Sequence, residues 1–401
     1  MNNTYSIKDI SLAQEGARKI AWVAERMPVL NRLTVKFQED GIFQGKKVAV
    51  AIHLEAKTAY LCLILQQLGA QVWVTGSNPY STKDDVAAAL AEKGIHVYAQ
   101  HGVVETIHKN ELYSLLSCLP DVVLDDGADI CMALHEKPEY GVNLRGISEE
   151  TTTGVMRLQN LMETNRLLFP AITVNEAKSK HMFDNRYGTG QSTWTAITNL
   201  TNMTVGGQKI VILGYGWVGK GVATIARGMG GHVVITELDP WKSLEAVMDG
   251  YDVMPISEAC KIGDIFITTT GRDAVLRREH IIEMKHGAII GNAGHADTEI
   301  DVDKLNSDVL SIMEVRDNVF EYKLLNGRAV YLLANGRIVN IAGGLGHPVE
   351  IMDMSFSLQL ASLHYLLCMP KLEIGLHKVP MELDEIVVRE KLAAEGYSID
   401  S

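Results

Sequence analysis

Apolar residues recur at intervals of three and four from Leu12 to about Phe37, at Ile20, Val23, Met27, Leu30 and Leu33, and this period predicts one helix. After Gly45 the pattern changes to short apolar runs that alternate with helical segments. Strands are predicted at 48–52, 71–75, 96–99 and 121–124, and helices at 56–68, about 84–93 and 109–116. Such alternation implies a mostly parallel sheet with helices on both faces. In Gly146-Ile-Ser-Glu-Glu-Thr-Thr-Thr-Gly154 three consecutive threonines behind paired acids are unusual for a plain turn, a helix-capping motif being the simpler reading, and 170–175 reads as a further strand. Lys180 and Asp184 are four apart, so a helix would put them on one face, and 186–192 reads as a hinge.

The next apolar run, Ile210 to Leu213, meets Gly214-Tyr-Gly-Trp-Val-Gly219, and a helix-like segment follows at once. In a dinucleotide-binding unit the first glycine makes the turn, the second admits a pyrophosphate to the backbone, and the third lets helix and strand pack closely. A second apolar strand, 232–236, ends in Glu237, close to the spacing of about 20 residues at which an acid accepts from the ribose hydroxyls of NAD. Strands are also predicted at 265–270 and 288–291, the latter ending in Asn292-Ala-Gly-His295. Asn326-Gly327 and Asn335-Gly336 both predict hairpin turns, and a long apolar helix is predicted over 349–369.

The expected fold class is therefore α/β, with two doubly wound parallel-sheet domains of which the second is a Rossmann NAD-binding domain. Its expected layout is residues 1–190 with 347–375, a second domain at 191–346, and a short C-terminal segment at 376–401. A length of 401 residues suits two or three domains. A net charge of −12 without a basic run argues against nucleic acid and anionic membrane as partners. Five scattered cysteines show neither a CxxC nor a metal-ligand spacing, so no metal is expected and a reducing cytoplasm fits. The N-terminus lacks the features of a leader, and no stretch approaches the ~20 apolar residues of a membrane span.

Ligands of open α/β sheets bind beyond the carboxyl ends of the strands, where loops carry function. His53, Gly76-Ser-Asn-Pro-Tyr-Ser-Thr82 and Asp125-Asp-Gly-Ala-Asp129 all follow predicted strands. Together with Ser148-Glu-Glu-Thr-Thr-Thr-Gly154, Lys180, Phe183-Asp-Asn185, the glycine loop, Asn292-Ala-Gly-His295, Asn340 and Gly346-His-Pro348, they carry a resemblance over nearly the whole chain. The sequence resembles the S-adenosyl-L-homocysteine hydrolase family. The variant His53-Leu-Glu-Ala-Lys-Thr-Ala-Tyr60 is similar to its short archaeal and thermophilic bacterial branch.

That resemblance implies NAD-dependent, reversible hydrolysis of S-adenosyl-L-homocysteine to adenosine and homocysteine. The ribose is oxidised at the 3′ position, the C4′ proton is removed, homocysteine is eliminated, water adds, and the ketone is reduced again. By resemblance Lys180 and Asp184 would handle the 3′-hydroxyl, and His53 and Asp126 the protons at C4′ and C5′. Glu150 and Asn185 would orient ribose and nicotinamide. Glu55, Lys57, Thr58, Met352 and Phe356 would contact the substrate, with His295 and His347 near its base. Thr151, Thr152, Thr153, Asn292 and Asn340 would contact the nicotinamide end, Gly214, Gly216, Trp217, Val218 and Gly219 the phosphates, and Glu237 the adenosine ribose. A homo-oligomer, dimer or tetramer, is also implied.

Three departures bear on this expectation. Glu55 and Lys57 stand where animal members have threonine and glutamate, and a donor at Lys57 raises S-inosylhomocysteine as an alternative substrate. Thr189 replaces a cysteine common in the family. The sequence stops at Ser401, where members usually continue into a tail reaching a neighbouring subunit's NAD, so looser NAD binding is expected. Two other readings remain open, a dehydratase-like enzyme acting on another nucleoside and a non-catalytic paralogue that senses NAD or a nucleoside.

Overall fold

The computed structural model describes residues 4–294 and 297–400. The backbone forms two compact units, Met1–Lys180 with Val349–Ser401, and His181–Pro348. The expected joints, after residue 190 and before residue 347, differ from these, and residues 376–401 belong to the first unit.

The first stretch runs β1 (Tyr5–Ser6), α1 (Ala13–Ala24), α2 (Pro28–Gln38), β2 (Lys47–Ala51), α3 (Ala56–Gln67), β3 (Gln71–Thr75) and α4 (Asp84–Glu92). It continues through β4 (His96–Tyr98), α5 (Glu105–Leu116), β5 (Val122–Asp125), α6 (Asp129–Glu136), β6 (Gly146–Glu149), α7 (Thr152–Glu163) and β7 (Ala171–Thr173). Every pair among these strands is parallel. Val48 to Ala51 and Val122 to Leu124 are fully buried, as expected of central parallel strands covered on both faces. Below one face, Ala49, Val123, Ile147 and Ala171 pack on Leu115 of α5, Leu134 of α6 and Leu158 of α7.

One expectation fails here for a local reason. The helix predicted across 12–37 is two helices, because Pro28 occupies the first turn of α2 and its ring cannot continue α1. The apolar period passes through the break because both helices bury the same kind of stripe. In the segment 146–154 the capping reading holds, since Thr151 caps α7, but a buried strand precedes it that its single apolar residue, Ile147, concealed.

The second unit contains α8 (Thr189–Thr201), β8 (Lys209–Leu213), α9 (Trp217–Gly228), β9 (His232–Thr236), α10 (Pro240–Met248), β10 (Asp252–Val253), α11 (Ile256–Ile262) and β11 (Ile265–Thr268). Then come α12 (Arg278–Ile281), β12 (Ala288–Asn292), α13 (Val302–Leu305), β13 (Val309–Arg316), β14 (Val319–Leu324), β15 (Ala329–Leu333) and α14 (Val339–Ala342). The strand order is β10-β9-β8-β11-β12-β15-β14-β13, parallel up to β15 and antiparallel at β14 and β13. Alternation along β8 serves both faces: Ile210 and Ile212 pack with Trp194, Val222 and Ala226, while Val211 and Leu213 pack with Cys260, Ile281 and Met284. Asn326-Gly327 makes the expected hairpin between β14 and β15. Asn335-Gly336 does not, although both residues have positive φ; Ile338 instead bridges Asn292 in parallel and the chain turns into α14.

The chain then returns to the first unit as α15 (Val349–Cys368), β16 (Leu376–Lys378) and α16 (Met381–Ala394). Strand β16 pairs parallel with β7 and completes the order β1-β4-β3-β2-β5-β6-β7-β16. The buried Asp353 carboxylate of α15 accepts from the N–H groups of Val29 and Leu30 at 3.0 and 2.9 Å, capping α2 where the N-cap residue Met27 offers no side-chain oxygen. Among the described residues no helix is long and apolar enough to cross a membrane.

Candidate active site

In the first sheet the strand order reverses beside β2 and β5, the place where open α/β sheets bind ligands. His53 lies two residues beyond β2, and Asp126 directly follows β5. The His53 ring sits between two partners, Ser81 Oγ at 2.6 Å from Nδ1 and Asp126 Oδ2 at 3.6 Å from Nε2. Ser77 Oγ donates to the same Asp126 oxygen at 3.1 Å. Thr58 Oγ1 donates to the His53 carbonyl, fixing the turn into α3. Glu55 accepts from Lys57 N–H at 3.1 Å and from Lys57 Nζ at 2.8 Å.

Behind this rim two carboxylates, Asp125 and Glu149, are fully buried and face each other in register. Asp125 accepts from the N–H groups of Asp126, Ile130 and Cys131. Glu149 accepts from Gly127, Ala128 and Thr151 N–H, all at 2.9 Å, the first two presented by left-handed backbone. These acids hold the loops that carry Asp126 and Glu150. A Cβ at Gly154 would stand 2.0 Å from the Glu149 carboxylate, so only glycine fits there.

Burial pushes the Asp125 carboxyl up to about 7, with the Asp129 charge adding to it, and burial followed by the Asp125 charge raises Glu149 well above its ordinary value. The folded Asp125 thus keeps a proton that the unfolded chain releases. Its contribution to stability is full in acid and falls as pH rises from about 4 towards 7. Asp125→Asn is expected to flatten the stability curve across that window, as read by urea titrations at its two ends; an unchanged slope would refute this.

Lys180 Nζ lies 3.0 Å from Glu150 Oε1, and both side chains are almost completely buried. The other Glu150 oxygen accepts from Gln359 of α15, whose amide oxygen accepts from Ser148 Oγ. Thr151 caps α7 through Gly154 N–H, Thr152 Oγ1 accepts from Asn175, and Thr153 is half-buried in the first turn. Phe356 is buried and Met352 half-buried on α15. From Lys180 to Gly188 the chain winds as a π-helix, a rare form that is frequent at functional sites.

In the second unit Gly214 turns the chain at φ +105°, and a Cβ at Gly219 would meet the Gly214 carbonyl at 2.1 Å. Gly216 opens α9, and a Cβ there would meet nothing within 4 Å. Open space in front of unpaired helix N–H groups suits the pyrophosphate of NAD. Val218 packs on the core, while Trp217 is partly exposed. Glu237 accepts from Tyr215 N–H of the glycine loop at 2.7 Å and from Leu238 and Asp239 N–H.

Asn292 is buried and engaged, accepting from Thr268 Oγ1 and Gly294 N–H and donating to the Gly336 carbonyl, so its side chain fastens strand tips. Asn340 is equally buried and donates to Ser192 Oγ at 3.0 Å, while its Oδ1 finds no hydrogen-bond partner among the described residues. A buried acceptor of this kind suits a carboxamide N–H of nicotinamide. His347 lies 2.8 Å from Asp184 and 3.2 Å from Thr189 Oγ1. Asn185 belongs to this unit, and His295 lies outside the described residues. Ser77 and Ser81 were expected only as part of the loop 76–82, without roles of their own, and Ser192 and Gln359 were not among the expected site residues. Of these last two only Gln359 carried a signal, as an amide inside an apolar helix.

A Rossmann unit with its glycine loop and strand-end acid, in one chain with an α/β unit whose strand tips carry His53–Asp126 and Lys180–Glu150, defines a NAD-dependent enzyme of two doubly wound units. Family models described as "S-adenosyl-L-homocysteine hydrolase" and "S-adenosyl-L-homocysteine hydrolase, NAD binding domain" match residues 4–143 and 185–346. The chain belongs to the S-adenosyl-L-homocysteine hydrolase family. It is 50% identical to an adenosylhomocysteinase of Thermotoga maritima, covering 96% of each chain. It is 48% identical to one of Thermococcus kodakarensis, over 99% of this chain and 94% of that one. It is 49% identical to an S-inosyl-L-homocysteine hydrolase of Methanocaldococcus jannaschii, over 99% of this chain and 96% of that one.

Proposed function

We propose that the protein hydrolyses S-adenosyl-L-homocysteine reversibly to adenosine and L-homocysteine. The observation that carries this reading is the buried Lys180–Glu150 pair, an amine and a carboxylate 3.0 Å apart at the strand tips. NAD, when bound by the second unit, supplies a reversible hydride acceptor for the ribose 3′ carbon. Lys180, as the neutral amine, takes the 3′-hydroxyl proton, with Glu150 orienting the amine and stabilising the ammonium that forms, and Asp184 assisting. A ketone at C3′ acidifies the neighbouring C4′ proton, which the His53–Asp126 pair accepts. The same pair returns a proton to the departing homocysteine sulfur and then serves the water that adds at C5′. Lys180 returns its proton to the 3′ oxygen at the end, so net consumption is one water per thioether cleaved.

Glu55 and Lys57 bear on the choice of purine. The Lys57 ammonium is held by Glu55 at 2.8 Å, so a donor and an acceptor are presented together, which supports adenine as well as a 6-oxo base. Thiol release by the purified protein should occur with the adenosyl substrate and exceed that with the inosyl analogue. Faster release from the inosyl analogue would transfer the assignment, and release from neither would end it. The reading includes a cytoplasmic homo-oligomer, supported by five cysteines free of disulfides and by the exposed apolar edge strand β13, with Leu310, Ile312 and Met313. Sedimentation as a monomer would remove the oligomer.

A further inference from the structure

The segment that presents Lys180 is held from the far end of the chain. Asp384, a buried residue in the first turn of α16, accepts from Lys178 N–H at 2.8 Å with one carboxylate oxygen and from Ser179 N–H at 3.0 Å with the other. These are the two peptide groups immediately before Lys180. Lys180 N–H itself donates to the Ala177 carbonyl at 3.2 Å, so the turn carrying the lysine is fastened at three successive peptides. The ammonium of Lys180 then reaches Glu150, whose second oxygen is held by Gln359 of α15. Both ends of the Lys180–Glu150 pair therefore depend on the returning helices.

We propose that Asp384 is a positioning residue for Lys180, acting through the backbone of Lys178 and Ser179. The inference rests on Lys180 being the group that takes the 3′-hydroxyl proton. A bidentate carboxylate on consecutive N–H groups fixes both the height and the rotation of the following residue, and a neutral side chain of similar shape cannot accept at both oxygens. Misplacement of a reacting group by about 1 Å can lower a rate about 100-fold. Glu390 offers an internal control. It lies on the same helix α16 and is paired with Arg32 and Lys36 of α2, so its loss loosens the helix without touching the Lys180 segment.

The experiment compares Asp384→Ala, Asp384→Asn and Glu390→Ala in the full-length holoenzyme. It measures the rate of enzyme-bound reduced-nicotinamide formation on mixing with substrate, together with KM, bound NAD and thermal stability. Asp384→Ala is expected to slow the oxidation step about 100-fold, with KM and NAD content little changed, and Asp384→Asn to fall between it and the parent. Glu390→Ala is expected to lose stability while keeping the oxidation rate. An oxidation rate in folded Asp384→Ala equal to the parent's would overturn the proposal. So would equal losses in Asp384→Ala and Glu390→Ala, which would mark Asp384 as a helix anchor only. Lys180→Ala run alongside separates the two levels: if it keeps its rate the function assigned to Lys180 is wrong, whereas a slow Lys180→Ala beside a fast Asp384→Ala removes the positioning role alone.

Discussion

Lys180→Ala is expected to reduce thiol release from the thioether substrate by about 10²- to 10⁴-fold, the range typical of a lost general base. It should also destabilise the first unit. The Glu150 carboxylate, almost completely buried, would lose the ammonium 3.0 Å away, and breaking one side of a buried pair costs about 3–5 kcal/mol. The two effects can be separated. In Lys180→Met combined with Glu150→Gln the orphaned charge is gone, so stability in denaturant titrations should recover while turnover stays low. Recovery of turnover along with stability would show that the lysine serves folding and not proton transfer.

The second large effect concerns the glycine loop. Gly216 has extended backbone, φ −77° and ψ −166°, which any residue adopts, and a side chain there would project into open space. Gly216→Val is therefore expected to leave the cofactor-free protein as stable as the parent. NAD affinity should fall by about 100-fold, roughly 2.7 kcal/mol, because the side chain takes the place of a phosphate. Gly219→Ala should behave in the opposite way. Its Cβ would press on the Gly214 carbonyl from 2.1 Å, so stability suffers first, by about 1–3 kcal/mol. Calorimetric titration of cofactor-free protein with NAD, beside thermal melts, distinguishes the two. Unchanged affinity in Gly216→Val would show that the pyrophosphate lies elsewhere.

Much of the architecture was legible because its signals are local. Strand, glycines, helix, strand and acid from Lys209 to Glu237 fall within one short stretch, and the structure forms each of them in order. The apolar runs at β2, β3 and β5 were equally plain. What escaped notice had no local signal. β6 hides in Gly-Ile-Ser-Glu because its burial comes from neighbouring strands and from α15, not from its own hydrophobicity. Asn335-Gly336 has the dihedral angles of a hairpin turn, but the pairing of Ile338 with Asn292 decides the direction of the chain. His53 and Asp126 could be placed on one rim from strand ends alone. The hold of Gln359 on Glu150 and of Asp384 on the Lys180 segment joins residues 209 and more than 200 positions apart, and no periodicity reports such a contact.

The discontinuous first unit sets an order of events during synthesis. The second unit is one uninterrupted stretch, His181–Pro348, whereas the first needs Val349–Ser401 to supply β16, α15 and α16. On the ribosome, the part encoded second can be finished while the part encoded first is still short of a sheet edge, a helix cap and the grip on Lys180. Until β16 emerges, β7 presents an open edge to its surroundings, the kind of unpaired strand that recruits other chains. The nascent polypeptide would gain a cofactor-binding half well before it gains a reactive one, and premature termination between Pro348 and Asp384 would release a NAD-binding fragment without the completed lysine site.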